Sequence, residues 1–483
     1  MWKSVIVIVT TSIFVGAFQV LGDQPKDLPL SFAPDVRNAW ERTGAVIGWM
    51  EIGGLRYRSF RGGARKGEPG QIPAFYLRPW QDDAVSKLPA PDMAFGLDLV
   101  ASNITDSGIE ILTKFDNLEA LVLEYTKITD AGTRHLSKLK RLRLLSLEAT
   151  NTTDAAMKEI GKLDRLEQLT LGRTKVTDNG LAELDNLKRI RVLDLYSTGI
   201  TDRGMTTLSS FQDLQRLSVS NTSITDDGLR KLKLHANIHA LRLGQTKVTD
   251  DGLKELKRCK DLRSLSLFRS NISDRGVDQL AENTSLEDLD LSLTQVTDAA
   301  MKVIGRLSRL EELGIASTKV TDAGLSYLTD LKHLKHVRVV GNDVTDKGMA
   351  KLALIRQLEY LDIGSTKITD EGIRELAPLK NLHTLRFGNC KVSDDAMKHL
   401  VALESLTDLS LDSTPISDLG IKEIAKLKKL EELFLRDTAV TDGAIEDLAT
   451  LKELRFLVLE GTKVSDRGVE RLQKALPKLR IVR

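Results

Sequence analysis

The stretch Leu118-Glu-Ala-Leu121-Val-Leu123-Glu-Tyr-Thr126-Lys-Ile128-Thr129-Asp130-Ala-Gly132 decides the fold. Leu121 and Leu123 stand two apart, the spacing of a strand with one buried face. Downstream come Leu136 and Leu139, and in a related stretch Leu181, Leu184 and Leu187 stand three apart, the stripe of a helix or 3₁₀ segment. A change of period within so few residues requires a corner between the two. The stretch therefore predicts a short strand, a turn and a helical return.

Working outward, the Thr-Asp or Ser-Asp dipeptide recurs with its Asp at 106, 130, 154 and onward to 466, sixteen copies at steps of 24 residues with no insertion or deletion. One such unit cannot bury its own apolar stripe, whereas stacked neighbours bury it continuously. The strands then pair in parallel, and at about 4.8 Å per strand the fifteen steps span roughly 70 Å. Helical returns are wider than strands, so the stack curves with its strands on the concave side. The predicted fold is an α/β solenoid of about 16 repeats, a curved parallel sheet inside and helical segments outside.

This pattern resembles the leucine-rich repeat family, whose LxxLxLxxNxL signature is matched by LEALVLEYTKI at 118–128. The resemblance covers residues 94–483. The family asparagine position departs: it is Thr in twelve copies, Ser102, Ser270, Asn342 and Cys390 in the rest. A hydroxyl there is expected to bond the backbone of the corner and to extend a polar ladder between turns. The TDxGL extension is similar to exported bacterial repeat proteins of the planctomycete type and, more distantly, to the cysteine-containing repeats of F-box receptors.

Composition bounds the function. The chain has 483 residues, and 70 Lys+Arg against 68 Asp+Glu leave a formal charge of +2, so no global field draws nucleic acid. Two cysteines cannot form the disulfide framework of a small secreted module. Cys259 and Cys390 lie 131 residues apart, more than five turns, and are expected to be free, buried thiols. The chain contains no phosphate loop, GxSxG elbow, HExxH or CxxC. His333 with His336, and His235 with His239, have metal-ligand spacing but lack a third ligand. No cofactor, metal or catalytic residue is implied, and the chain reads as a non-enzyme.

The sequence changes character near residue 93. Eleven of the 22 aromatics and eight of the eleven prolines lie before that point. Residues 1–22 begin Met-Trp-Lys and then run uncharged from Val5 to Val20, the pattern of a secretory signal. Its removal would leave no membrane span and export the protein to the periplasm, the cell surface or the medium. Residues 23–93 are expected to cap the open end of the solenoid. Pro34, Val36 and Trp40 suggest a helix there, and Trp40, Trp49 and Trp80 are expected to cover the strand at Leu97. Residues 52–67, with Arg56, Arg58, Arg61, Arg65 and Lys66, read as a solvated basic loop. At the far end Leu479 and Ile481 suggest one last strand.

An Asp present in every unit reads as scaffold: at a helix start it is expected to cap orphan N–H groups, helped by the neighbouring Thr, with a small residue wanted two positions on. Function must then lie where the repeats differ. Side chains flanking the two strand leucines face the concave side. Two columns carry alternating charge, Arg338-Asp362-Arg386 and Asp412-Arg436-Glu460, which can pair across neighbouring strands. Phe268, Arg269, Arg338, Tyr360, Arg386 and Phe434 have the aromatic and Arg composition of interface hot spots, and Gly314, Ala316, Gly364 and Gly388 leave room beside them. The sequence thus implies a protein partner held on the concave sheet. Two other readings remain: a substrate receptor of an SCF-type ubiquitin ligase, and a repeat scaffold for a catalytic N-terminal segment.

Overall fold

The computed structural model describes residues 32–53, 60–62, 70–232 and 237–483. Among the described residues a twenty-stranded sheet runs from Val46–Glu51 to Arg480–Val482. From Gln71–Tyr76 onward each strand pairs in parallel with the next, and most have three residues. In each repeat the middle strand residue and the residue after the strand enter the core: Leu145 and Leu147, or Leu265 and Leu267, are fully buried. A helical segment follows, usually α and in places 3₁₀, as at Gly252–Arg258. Its apolar stripe closes a single core that reaches from Phe32 to Leu479. The expected last strand is present as Arg480–Val482, paired with Phe456–Val458.

The invariant Asp does a different job from the one its local sequence suggests. The helix N-cap is the Thr, whose hydroxyl accepts from the amide two residues on, as Thr129 does from Ala131 at 3.2 Å. The Asp instead reaches forward to the next repeat. Asp106 Oδ1 accepts from the Thr129 amide at 2.9 Å and Oδ2 from the Thr129 hydroxyl at 2.6 Å. The same pair of bonds recurs at all fifteen junctions, to Asp442 and Ser465. Local reading missed the link because its two ends lie 23 residues apart. The small residue has the same cause: a Cβ on Gly132 would crowd Asp106 Oδ1, so nothing larger than the Ala found in four copies fits. Both carboxylate oxygens are thereby engaged by the chain itself.

The hydroxyl column bonds the backbone of its corner as expected, but it does not extend as a ladder between turns. Thr126 Oγ1 donates to Leu123 O at 2.6 Å and Ser270 Oγ to Leu267 O at 2.6 Å, so these side chains close the corner of their own repeat. Bonds between turns occur in this column at the two odd residues. Asn342 exchanges bonds with the Thr318 amide and hydroxyl at 2.9 and 3.0 Å, and Cys390 Sγ reaches Ile363 O at 3.4 Å. The residue before this column holds a left-handed φ in every repeat, from Ala101 at 50° to Asp437 at 54°, with Gly341 and Gly461 in two copies. Both cysteines are free and buried. Asn283, which heads an Asn-Thr-Ser glycosylation sequon, is fully buried and donates to Leu256 O and Cys259 O at 3.0 Å each, which excludes a glycan on the folded chain.

The N-terminal segment continues the sheet as well as covering its end. Helix Pro34–Glu41 buries Val36 and Trp40. Strand Val46–Glu51 pairs antiparallel with Gln71–Tyr76, and Phe75 of the latter sits in register with Leu97. Phe75 stacks between Phe32 and Trp40 with both centroid distances 4.3 Å, and Phe95 and Phe115 complete the cluster. That is where the aromatics of the sequence went: five rings close an end that aliphatic repeats leave open. Trp40 and Trp80 are buried as expected, whereas Trp49 is half-buried in the strand opposite Pro73. Lys114 locks the segment down, its ammonium donating to Val85, Ser86 and Leu88 carbonyls at 3.0, 2.7 and 3.0 Å. Residues 1–31 lie outside the described residues, as do most of the basic stretch 52–67 and His235.

Candidate binding face

The strand of each repeat offers three side chains to the sheet face: the first and third strand residues, and the residue two further on. Reading two of these columns misses the one that precedes the first strand leucine. That third column holds Asp288, Glu312, His336 and Tyr360 on consecutive strands. Alternation alone could have supplied it, since positions on both sides of a buried leucine share a face.

The face changes along its length. At the N-terminal strands it is apolar and covered: Met50, Ala74, Ala120, Val122 and Leu144 form a buried cluster of their own. The Gly53 amide donates to Gln168 Oε1 at 3.0 Å, so the chain's own N-terminal segment reaches the strand at Gln168–Thr170. Next to it Glu148 accepts from the Tyr125 hydroxyl at 3.3 Å. Burial pushes the Glu148 carboxyl up to about 7, reinforced by Glu124 and Asp194 and opposed by Arg173.

Further along, Arg242, Ser266, Asp288, Asp290, Glu312, Gly314, His336 and Arg338 line a hollow of about 240 Å³. Gly314 opens it, because a Cβ there would stand 2.7 Å from Asp290 Oδ1. Burial raises the Asp288 carboxyl despite a 2.7 Å bond from the Ser264 hydroxyl. His336 Nδ1 lies 3.1 Å from Glu312 Oε1; this contact holds the imidazole above its usual range and the Glu312 carboxyl below. His333 is on the exposed turn before the strand, apart from that pair.

The six residues singled out from sequence do not form one patch. Arg338, Tyr360 and Arg386 come together on three consecutive strands, with the guanidinium carbons 6.0 and 5.7 Å from the Tyr360 ring centre. Phe434 stands two strands beyond Arg386 and packs against Phe456 at 5.6 Å. Phe268 is half-buried three strands before Arg338, and Arg269 occupies the left-handed corner with φ 52°, exposed at the rim. The two charge columns also part company. Arg436 pairs with Glu460 at 2.8 Å, as cross-strand charges are expected to do. Arg338 and Arg386 instead lie on the tyrosine. The Asp362 carboxylate between them accepts from the Gly364 amide at 3.2 Å, and burial raises it.

A family model described as a leucine-rich repeat region matches residues 99–349, and a second, a leucine-rich repeat, matches residues 356–377. No curated protein matches the chain. Among solved structures, an internalin from Listeria monocytogenes is 27% identical with a TM-score of 0.50, covering 68% of this chain and 88% of its own. A leucine-rich-repeat protein from Leptospira interrogans is 21% identical with a TM-score of 0.42, covering 84% and 93%. The plant peptide hormone receptor RGFR1, solved with RGF2, is 13% identical with a TM-score of 0.31, covering 86% and 82%.

Proposed function

We propose that this chain, which belongs to the leucine-rich repeat family, is an exported, non-enzymatic scaffold that holds a protein partner on its sheet face. One observation carries the reading. The N-terminal strands bury an apolar face under the chain's own segment, while the strands from about residue 192 onward leave charged and aromatic side chains half-exposed. Phe268, Tyr360, Phe434 and Phe456 offer anchors of the type that dominates protein interfaces. Phe268 and Phe434 then mark two ends of one extended footprint, with Arg269 at its rim.

Export is read from the charge-free run Val5–Val20 behind Lys3. Among the described residues no helix is long and apolar enough to cross a membrane. The proposed division is a signal at 1–22, a capping segment at 23–93 and the solenoid from 94 to 483.

A photo-crosslinking amino acid placed at Phe268 and Phe434, and in parallel at the exposed outer positions Lys302 and Lys422, tests the face. Capture of one protein from the sheet positions and not from the outer ones is expected. Equal capture from both sides, or capture only from the outer side, removes the reading. N-terminal sequencing of the mature protein tests export, and an intact Met1 in a cytosolic fraction overturns it.

A further inference from the structure

On this sheet face Arg436 is paired with Glu460 at 2.8 Å. Arg338 and Arg386 differ from it. Among the described residues neither guanidinium has a carboxylate oxygen within 4.0 Å, and both lie against the ring of Tyr360 between them. A guanidinium lying on an aromatic ring is fixed in plane while its N–H fork still points to solvent, which suits it to a carboxylate. Arg338 and Arg386 flank Asp362 in register, so the two positive groups share one near carboxylate, while Glu312, Asp412 and Glu432 act on them from farther off.

The surroundings narrow the ligand further. Asp288, Asp290 and Glu312 lie on one side, and Asp408, Asp412 and Glu432 on the other. A long polyanion laid across the sheet would meet these acids, whereas a short acidic stretch between neutral or basic residues would not. Gly364 and Gly388 leave the backbone bare alongside.

We propose that Arg338, Tyr360 and Arg386 form a clamp for the carboxylates of a short acidic segment in the protein partner, one flanked by basic residues. The proposal rests on the sheet-face reading above. Two strands separate the arginines, roughly 10 Å, and two carboxylates two residues apart on an extended segment, roughly 7 Å, match that reach.

The probe is a fluorescein-labelled Lys-Gly-Glu-Gly-Glu-Gly-Lys peptide, its control the same peptide with Gln for Glu, both titrated by anisotropy onto the full chain. The glutamate peptide is expected to bind at least tenfold tighter than the control. The advantage is expected to vanish in the Arg338→Gln/Arg386→Gln double variant, to fall severalfold in Tyr360→Ala, and to persist in Arg436→Gln. A melting curve checks the double variant. If it melts early, Arg338→Lys/Arg386→Lys replaces it, keeping charge without the planar fork, and a severalfold loss is again expected. Equal binding of the two peptides, an unchanged double variant, or tighter binding of an oligothymidylate at the same arginines overturns the clamp. Crosslinking at Phe268 and Phe434 that succeeds while the peptide fails leaves the sheet-face reading standing and removes this one alone.

Discussion

Asp274 and Thr297 are joined twice across a repeat junction: Oδ1 accepts from the Thr297 amide at 2.8 Å and Oδ2 from its hydroxyl at 2.7 Å. Oδ1 also takes the Ala300 amide at 3.2 Å, and the hydroxyl in turn accepts from Ala299 at 3.2 Å. One carboxylate thus orders the start of the following helix.

Asp274→Ala removes the charged acceptor and leaves a part-buried amide without a partner, a loss of about 2–4 kcal/mol. In a stacked array each repeat contacts only its neighbours, so the loss concentrates at that junction. Amide exchange at Thr297 and Ala300 should accelerate by two orders of magnitude or more while distant repeats stay protected. Thr297→Ser, which reproduces the Ser273 and Ser393 junctions, should cost under about 0.5 kcal/mol. Unchanged exchange in Asp274→Ala would show that the clamp contributes nothing.

Ser413 sits in the left-handed region with φ 56° and is exposed, a conformation that disfavours any side chain with a Cβ. Ser413→Gly should therefore stabilise by up to about 1 kcal/mol, against the usual direction for an introduced glycine. Ser413→Val should destabilise by more than about 1 kcal/mol. Denaturant midpoints of the two variants should move in opposite directions; a shared direction refutes the strain argument.

Glu148 gives the sheet face a pH dependence. Its carboxyl is raised from 4.5 to about 7, burial being the largest cause. Well below 4.5 the group is neutral in folded and unfolded chains alike. As pH rises from there to about 7 the unfolded chain ionises first, so this group's contribution falls through that window. With allowance for solvent screening the loss is about 1–2 kcal/mol. Glu148→Gln should melt higher than the parent at pH 8 and match it at pH 4. A difference that is constant with pH excludes the titration.

The thiols should be silent. Burial pushes Cys259 up to about 11 and raises Cys390 as well. Iodoacetamide at pH 8 should leave both unmodified over hours in the folded protein and label both in guanidinium, as read by intact mass. Rapid labelling of the native chain would contradict their placement in the core.

The repeat was open to sequence reading because leucine spacing acts locally: two residues for the strand, three for the return. The aromatic cap was foreshadowed by where Trp40 and Trp80 fall. The Asp274–Thr297 bond was not, since nothing in a 24-residue period says whether a conserved polar group serves its own turn or the next. Arg338, Tyr360 and Arg386 were found by composition, yet composition could not show that Arg436 is paired and they are not. Glu312 was overlooked, and His336 was weighed against His333 rather than against Glu312, because that face column was not read as a column. Their contact depends on strand register, which joins residues 24 apart in the chain.

The junction also fixes what kind of change in length the chain can tolerate. Each Asp meets its Thr in the following turn through the same atoms, so excising or duplicating 24 residues from any starting point restores an identical joint. Adding or removing a single residue carries the Thr out of reach and breaks two bonds at once. Repeat number is therefore a free variable and repeat length is not. Over evolutionary time such a chain can grow or shrink by whole turns, resizing its sheet face while every junction keeps the same two bonds.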